Sequence, residues 1–237
     1  ADATAIAPGQ ELTVAARLDI EPGWHVYWLN PGESGLATEA SIEAPDGFEV
    51  GEVRFPGPIR FESGGVVSFG YSDRVLLSAR VTAPDALSSK ASVRVRAEWL
   101  ACREACIRGK GETRLELDVA TAETPSAPAN AQLFAEHQSR LPRPLANLAN
   151  ARHDWRTTSG GRELILYVDG GQQVEFFPAR DLQTSLVGQA LIPGEGVGAL
   201  HLSFRGAAPE RVRGVLRAAD LTTAYYFDVD IPGPTQP

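Results

Sequence analysis

No methionine occurs anywhere in the 237 residues, and only two cysteines do. With no initiator, the chain opens on ADATAIAPGQ, which reads as an end left after removal of a signal peptide or by excision from a longer protein. Export would place the chain where disulfides persist. Positive charge is scarce as well: 22 Lys and Arg stand against 30 Asp and Glu, a formal net charge of −8. A surface of that sign repels phosphate, which excludes nucleic acid as a partner. No apolar run approaches the roughly 18 residues that span a bilayer, so this chain is not expected to cross a membrane itself. One CxxxC and four scattered histidines make no ligand set at a zinc spacing. The cysteines are not CxxC within a βαβ pattern, not CxxCH, and no GxSxG elbow is present, so a thioredoxin-type site, c-type haem attachment and a hydrolase elbow all lack their sequence signal.

What is present is ordinary globular composition, 43% hydrophobic and 22% charged, with length for one large or two small domains. ELTVAARLDI alternates, with Leu12, Val14, Ala16, Leu18 and Ile20 on one face, the period of a strand. SIEAP, FEVGEVRF, RVLLSARV, SVRVRAEWLA and TRLELDVA are further strand candidates, punctuated by PDG at 45–47, PGP at 56–58, APD at 83–85 and GKG at 109–111. Short strands at this spacing predict an antiparallel sandwich. TAETPSAPANA, at 121–131, has little to bury and reads as a linker. AQLFAEHQSRL then places Leu133, Phe134, His137 and Leu141 at helical spacing until PRP at 142–144 stops it. Strand patterns return in RELILYVDG, QQVEFFPA, GALHLSFRG, VRGVLRAA and AYYFDVDI. The expected fold is therefore all-β: two tandem sandwiches, at 1–122 and 151–237, joined over 123–150 by a Pro/Ala-rich linker and one short helix.

The two cysteines are the main chemical signal. They lie in EWLACREACIRGKGE, between one alternating stretch (Val93, Val95, Ala97, Trp99) and another (Leu115, Leu117, Val119), which puts Cys102 and Cys106 at or near the tip of a β-hairpin. A bridge closing so short a loop removes little unfolded-chain entropy, on the order of 2 kcal/mol or less. A staple spanning a longer loop would stabilise more, which favours a redox role, although a structural disulfide stays open on spacing alone. Arg103, Arg108 and Lys110 would stabilise a thiolate here, and Glu104 opposes them.

Two aromatic stretches accompany the pair. GWHVYWLNPGESG concentrates Trp24, Tyr27 and Trp28, read as core filling on a strand or, for one of them, as a border to the cysteine loop; His25 reads as a strand residue facing solvent or a partner edge. RFESGGVVSFGYSDR reads either as a flexible hairpin loop or as a lid, in which Phe61, Phe69 or Tyr71 covers the sulfurs and Gly64 and Gly65 give mobility.

GWHVYWLNPGESG, SFGYSDRVLL and EWLACREACI together resemble the periplasmic N-terminal domain of the DsbD family of transmembrane thiol:disulfide reductases. LPRP and the RGVLR…AYYFDVD ending resemble its ScsB-type branch, in which a second domain follows the first. The resemblance implies immunoglobulin-like sandwiches and a redox pair, Cys102 and Cys106, with Cys106 facing the partner. It implies a lid over the pair in the region 60–71. It further implies a membrane-embedded redox domain as electron donor and periplasmic thioredoxin-like, isomerase-like or peroxidase-linked proteins as acceptors, with no metal or organic cofactor. The rival reading is a non-catalytic β-sandwich binding or adhesion module whose disulfide is inert.

Overall fold

The computed structural model describes residues 1–87, 90–148, 150–159, 161–169, 174–182, 186–192, 197–205, 211–218 and 223–230. They form two units, Ala1–Ser139 and Arg140–Pro237. The first contains β1 (Ala5–Ile6), β2 (Glu11–Asp19), β3 (His25–Gly32), β4 (Glu39–Glu43), β5 (Glu49–Val50), β6 (Ile59–Ser63), β7 (Val66–Tyr71), β8 (Arg74–Thr82), β9 (Ala91–Cys102), β10 (Cys106–Val119) and the helix α1 (Ala131–Arg140). A seven-stranded sheet runs β1-β10-β9-β3-β7-β6, with β4 also paired to β9, and a three-stranded sheet runs β2-β8-β5. β2 approaches β9 and β4 across the sandwich.

The alternation that predicted these strands is the alternation that fills the core. Leu12, Val14 and Ala16 of β2 and Val93, Val95 and Ala97 of β9 are buried, and Arg94 and Arg96 stand on the opposite face of β9. There they meet Glu43 of β4 and Glu112 of β10 at 2.7–3.6 Å. FEVGEVRF contributes only the two-residue β5 and a bridge between Arg54 and Ser78. GKG at 109–111 is not a turn: it lies inside β10, where a Cβ on Gly109 would stand 2.4 Å from the Trp99 ring and one on Gly111 3.7 Å from it. The missing side chains give the indole its berth across the hairpin.

The Pro- and Ala-rich stretch is tied down along its length. Ser126 Oγ donates to the Ala5 carbonyl, and the backbone N–H groups of Thr4 and Ala129 donate to Ala127 and Asp2. The helix predicted after it forms, and its His137 ring, 4% exposed, lies 2.7 Å from Ser78 Oγ, itself fully buried.

The second unit is also a sandwich. Its strands are β11 (Arg143–Pro144), β12 (Arg152–Thr158), β13 (Gly161–Asp169), β14 (Glu175–Pro178), β15 (Leu186–Ile192), β16 (Val197–Arg205), β17 (Arg211–Ala218) and β18 (Thr223–Asp230). They make two four-stranded sheets, β11-β18-β17-β14 and β12-β13-β16-β15, around a core that includes Leu164, Phe176, Leu202, Leu216 and Phe227. The expected all-β, tandem immunoglobulin-like architecture is the one found. Among the described residues no helix is long and apolar enough to cross a membrane.

Candidate functional site at the hairpin tip

β9 ends on Cys102 and β10 begins on Cys106, so the two cysteines are the last cross-strand pair of the hairpin. They form a disulfide, with Cα atoms 4.1 Å apart, that spans the three-residue tip Arg103–Glu104–Ala105. The two ends are not equivalent. Cys102 is 3% exposed, whereas Cys106 is open to solvent.

Strand parity assigns the neighbours of the bridge. Cys102 pairs with His25 at the start of β3, which places the imidazole on the cysteine face of the sheet. His25 in turn stacks on Phe61 of β6, ring centroids 4.5 Å apart and 23° between planes, and meets Tyr27 edge-on at 5.1 Å. Burial pushes the His25 pKa below its ordinary value and that of the Tyr27 phenol above it, so both rings are neutral at pH 7. The result is an aromatic shelf from β6 through β3 to the buried cysteine.

Of the three aromatic lid candidates, Phe61 alone belongs to this shelf. Phe69 and Tyr71 are 6% and 1% exposed, and the Tyr71 hydroxyl donates to the Pro56 carbonyl at 2.8 Å. The register explains the difference. Tyr71 is the partner of Val26, which like Phe69 points into the sandwich, whereas Phe61 and Tyr27 point outward. Gly64 and Gly65 form the β6–β7 turn with φ of +59° and +81°, the left-handed pair that a two-residue hairpin turn requires, and a Cβ on either would meet nothing within 4 Å. The segment is thus a regular hairpin with an open tip.

The opposite face of the cysteine hairpin opens on a cleft of about 530 Å³, bordered by Trp24, Val26, Trp99, Ala101 and Ile107. Arg103, the first residue of the tip, sits over the Trp24 ring at 5.4 Å. Of the three aromatics in that stretch, Trp24 therefore borders the cysteine loop, Tyr27 is covered to 4% exposure within the outward-facing shelf, and Trp28 is buried at 5%. His25, read from sequence as a solvent or edge residue, and Trp99 carry more of the site than their sequence context announced. Nothing in the spacing of His25 to the cysteines gives its cross-strand pairing with Cys102 away. Among the described residues, no cluster of three or more His, Cys, Asp or Glu is arranged to hold a metal.

A sandwich that carries a bridged cysteine pair at an accessible hairpin tip is built as a thiol–disulfide exchange domain. Residues 1–118 match the family described as "Thiol:disulfide interchange protein DsbD, N-terminal", so this first unit is a DsbD-family N-terminal domain. In fold, the whole chain is similar to the N-terminal periplasmic domain of ScsB from Proteus mirabilis: TM-score 0.67 at 16% identity, over 97% of this chain and 92% of that one. A chaperone–tip adhesin complex of Acinetobacter baumannii Csu pili aligns at 12% identity over 94% of this chain and 93% of that one, but its TM-score of 0.24 carries no argument. No curated protein matches the chain in sequence.

Proposed function

We propose that this chain is a periplasmic electron relay. Cys102 and Cys106 accept two electrons from a membrane-embedded redox domain and pass them to oxidised thioredoxin-like or isomerase-like proteins of the envelope. The observation that carries the reading is the asymmetry of the bridge, one cysteine buried and one exposed at a hairpin tip. Membership of the DsbD family supports the class of chemistry and the compartment.

In the reduced chain the Cys106 thiolate attacks a sulfur of the acceptor's disulfide. The acceptor's other sulfur leaves as a thiolate, and a mixed disulfide to Cys106 remains. The Cys102 thiolate then attacks Cys106 Sγ, re-forming the Cys102–Cys106 bond and expelling the acceptor's second sulfur. Two electrons and two protons pass to the acceptor. The donor's dithiol afterwards reduces the bridge by the same steps in reverse. The neighbouring position of Cys102 on the paired strand gives resolution a high effective concentration, so it outruns escape of the partner. Phe61, resting on His25, acts as the lid that limits adventitious exchange at the bridge.

The test is covalent capture. Cys102→Ser, which retains Cys106, should trap a mixed disulfide with thioredoxin-like proteins of an envelope extract, and Cys106→Ser should trap far less. An extract that yields no adduct with either variant would leave the inert-disulfide binding module as the better account.

A further inference from the structure

Beside the exposed cysteine runs an open strand edge. β9 fills one side of β10 along Cys106–Leu117. On the other side β1 pairs only with Asp118 and Val119, and among the described residues no strand lies against the edge before them. Alternate backbone N–H and C=O groups there are unclaimed by the sheet and can pair with another chain.

The two faces of this edge differ in chemistry. On the cysteine face, Arg108 and Lys110 follow Cys106 at every second position; both are exposed, and neither joins an ion pair among the described residues. The next residue on that face, Glu112, is already matched by Arg94 and Arg96. On the other face Ile107 is 59% exposed at the border of the apolar cleft of Trp24, Trp99 and Ala101. Beyond it Gly109 and Gly111 present no side chain. Cationic edge residues have a plain use, since they discourage two copies of a strand from pairing. That use does not account for an exposed isoleucine beside an open apolar cleft at the same edge.

We propose that the redox partner docks by adding an extended segment to the β10 edge, its carboxylates facing Arg108 and Lys110 and an alternate apolar residue lying on Ile107 and the cleft. This rests on the relay reading of the cysteine pair. Main-chain pairing supplies affinity, alternate side chains supply specificity, and the register of the added strand brings the partner's sulfur beside Cys106. An acidic–apolar alternation in the partner matches a chain that is acidic overall but presents two cations, Arg108 and Lys110, where this edge leaves Cys106.

The test uses the full chain carrying Cys102→Ser, or Cys102→Ala should the hydroxyl weaken this buried position. Two extended synthetic peptides are compared, each with a central cysteine held as its thionitrobenzoate mixed disulfide, one flanked by alternating Glu and Val, the other by alternating Lys and Val. Attack of the Cys106 thiolate on the peptide sulfur forms the adduct and expels coloured thionitrobenzoate with the bonding electron pair. At low salt the acidic peptide is expected to react roughly tenfold faster. R108E/K110E should reverse the order, and amides of Ile107–Gly111 should gain protection from hydrogen exchange in the acidic adduct. Equal rates without such protection overturn the strand-addition proposal and leave the relay standing. So does self-association of R108E/K110E with an unchanged peptide preference, which makes the cations guards of the edge. A Cys106 inert even to a small neutral disulfide removes the relay reading itself, and this proposal with it.

Discussion

Phe61 rests face to face on His25, and His25 is the cross-strand neighbour of Cys102. Phe61, His25 and the buried cysteine therefore come together from β6, β3 and β9 on one face of the sheet. Aromatic pairs of this kind contribute roughly 0.5–1.5 kcal/mol beyond their buried area. Phe61→Ala should accordingly raise the rate at which dithiothreitol reduces the bridge by about 2–10-fold while leaving its equilibrium potential unchanged. Stopped-flow reduction at several thiol concentrations measures the first quantity and a redox titration the second. An unchanged rate would reduce Phe61 to surface packing.

His25 gives the shelf a pH dependence. Burial holds its pKa in the folded chain below the ordinary histidine value of 6.5, so the unfolded chain binds more protons in the interval between the two. Its contribution to stability is complete above pH 6.5 and is lost as the pH falls through the folded-state pKa. Urea denaturation of the wild type and of His25→Gln should give a stability difference that shifts against the wild type below pH 6.5 and levels off below the folded pKa. A difference that stays constant from neutral to mildly acid pH contradicts this.

The glycines of β10 make a paired prediction. Gly109→Ala places a Cβ within 2.4 Å of the Trp99 indole and must displace the ring, whereas Gly111→Ala makes only an ordinary 3.7 Å contact. Overpacking costs about 1–3 kcal/mol, with the lower end expected here because Trp99 is only partly buried and has room to turn. Gly109→Ala should also shift tryptophan emission, and Gly111→Ala should be near neutral on both counts.

The Ser78–His137 bond fastens α1 to β8. Ser78→Ala leaves a buried ring nitrogen without this partner and should cost about 1–3 kcal/mol. Loss of hydrogen-exchange protection in α1 would locate the effect, and a variant as stable as the wild type would show that the helix is held by its apolar contacts alone.

Much of the fold was legible because half-buried antiparallel strands alternate, as β2, β9 and the last third of β10 do. β3 was harder: its burial runs over both faces through Val26, Tyr27 and Trp28, so no period of two appears. β12 failed in the opposite way, with RHDWRTT exposed at all but Trp155, an edge strand with little apolar signal. GKG carried a turn's residues into a strand because the steric need belonged to Trp99, ten positions before Gly109 in the sequence but opposite it in the hairpin. At the site, the cysteines announced themselves by number and spacing. Which aromatic stands beside them depended on strand parity: Phe61 and Phe69 lie in one hairpin on opposite faces of the sheet. That distinction, and the pairing of His25 with Cys102, exist only once the registers are fixed.

The most direct measurement is an equilibrium titration of the Cys102–Cys106 bond against dithiothreitol buffers, read by alkylation and mass. A relay predicts a midpoint within the range of exchange catalysts, roughly −120 to −270 mV. A midpoint well below about −300 mV is that of a permanent structural bridge and would contradict the account.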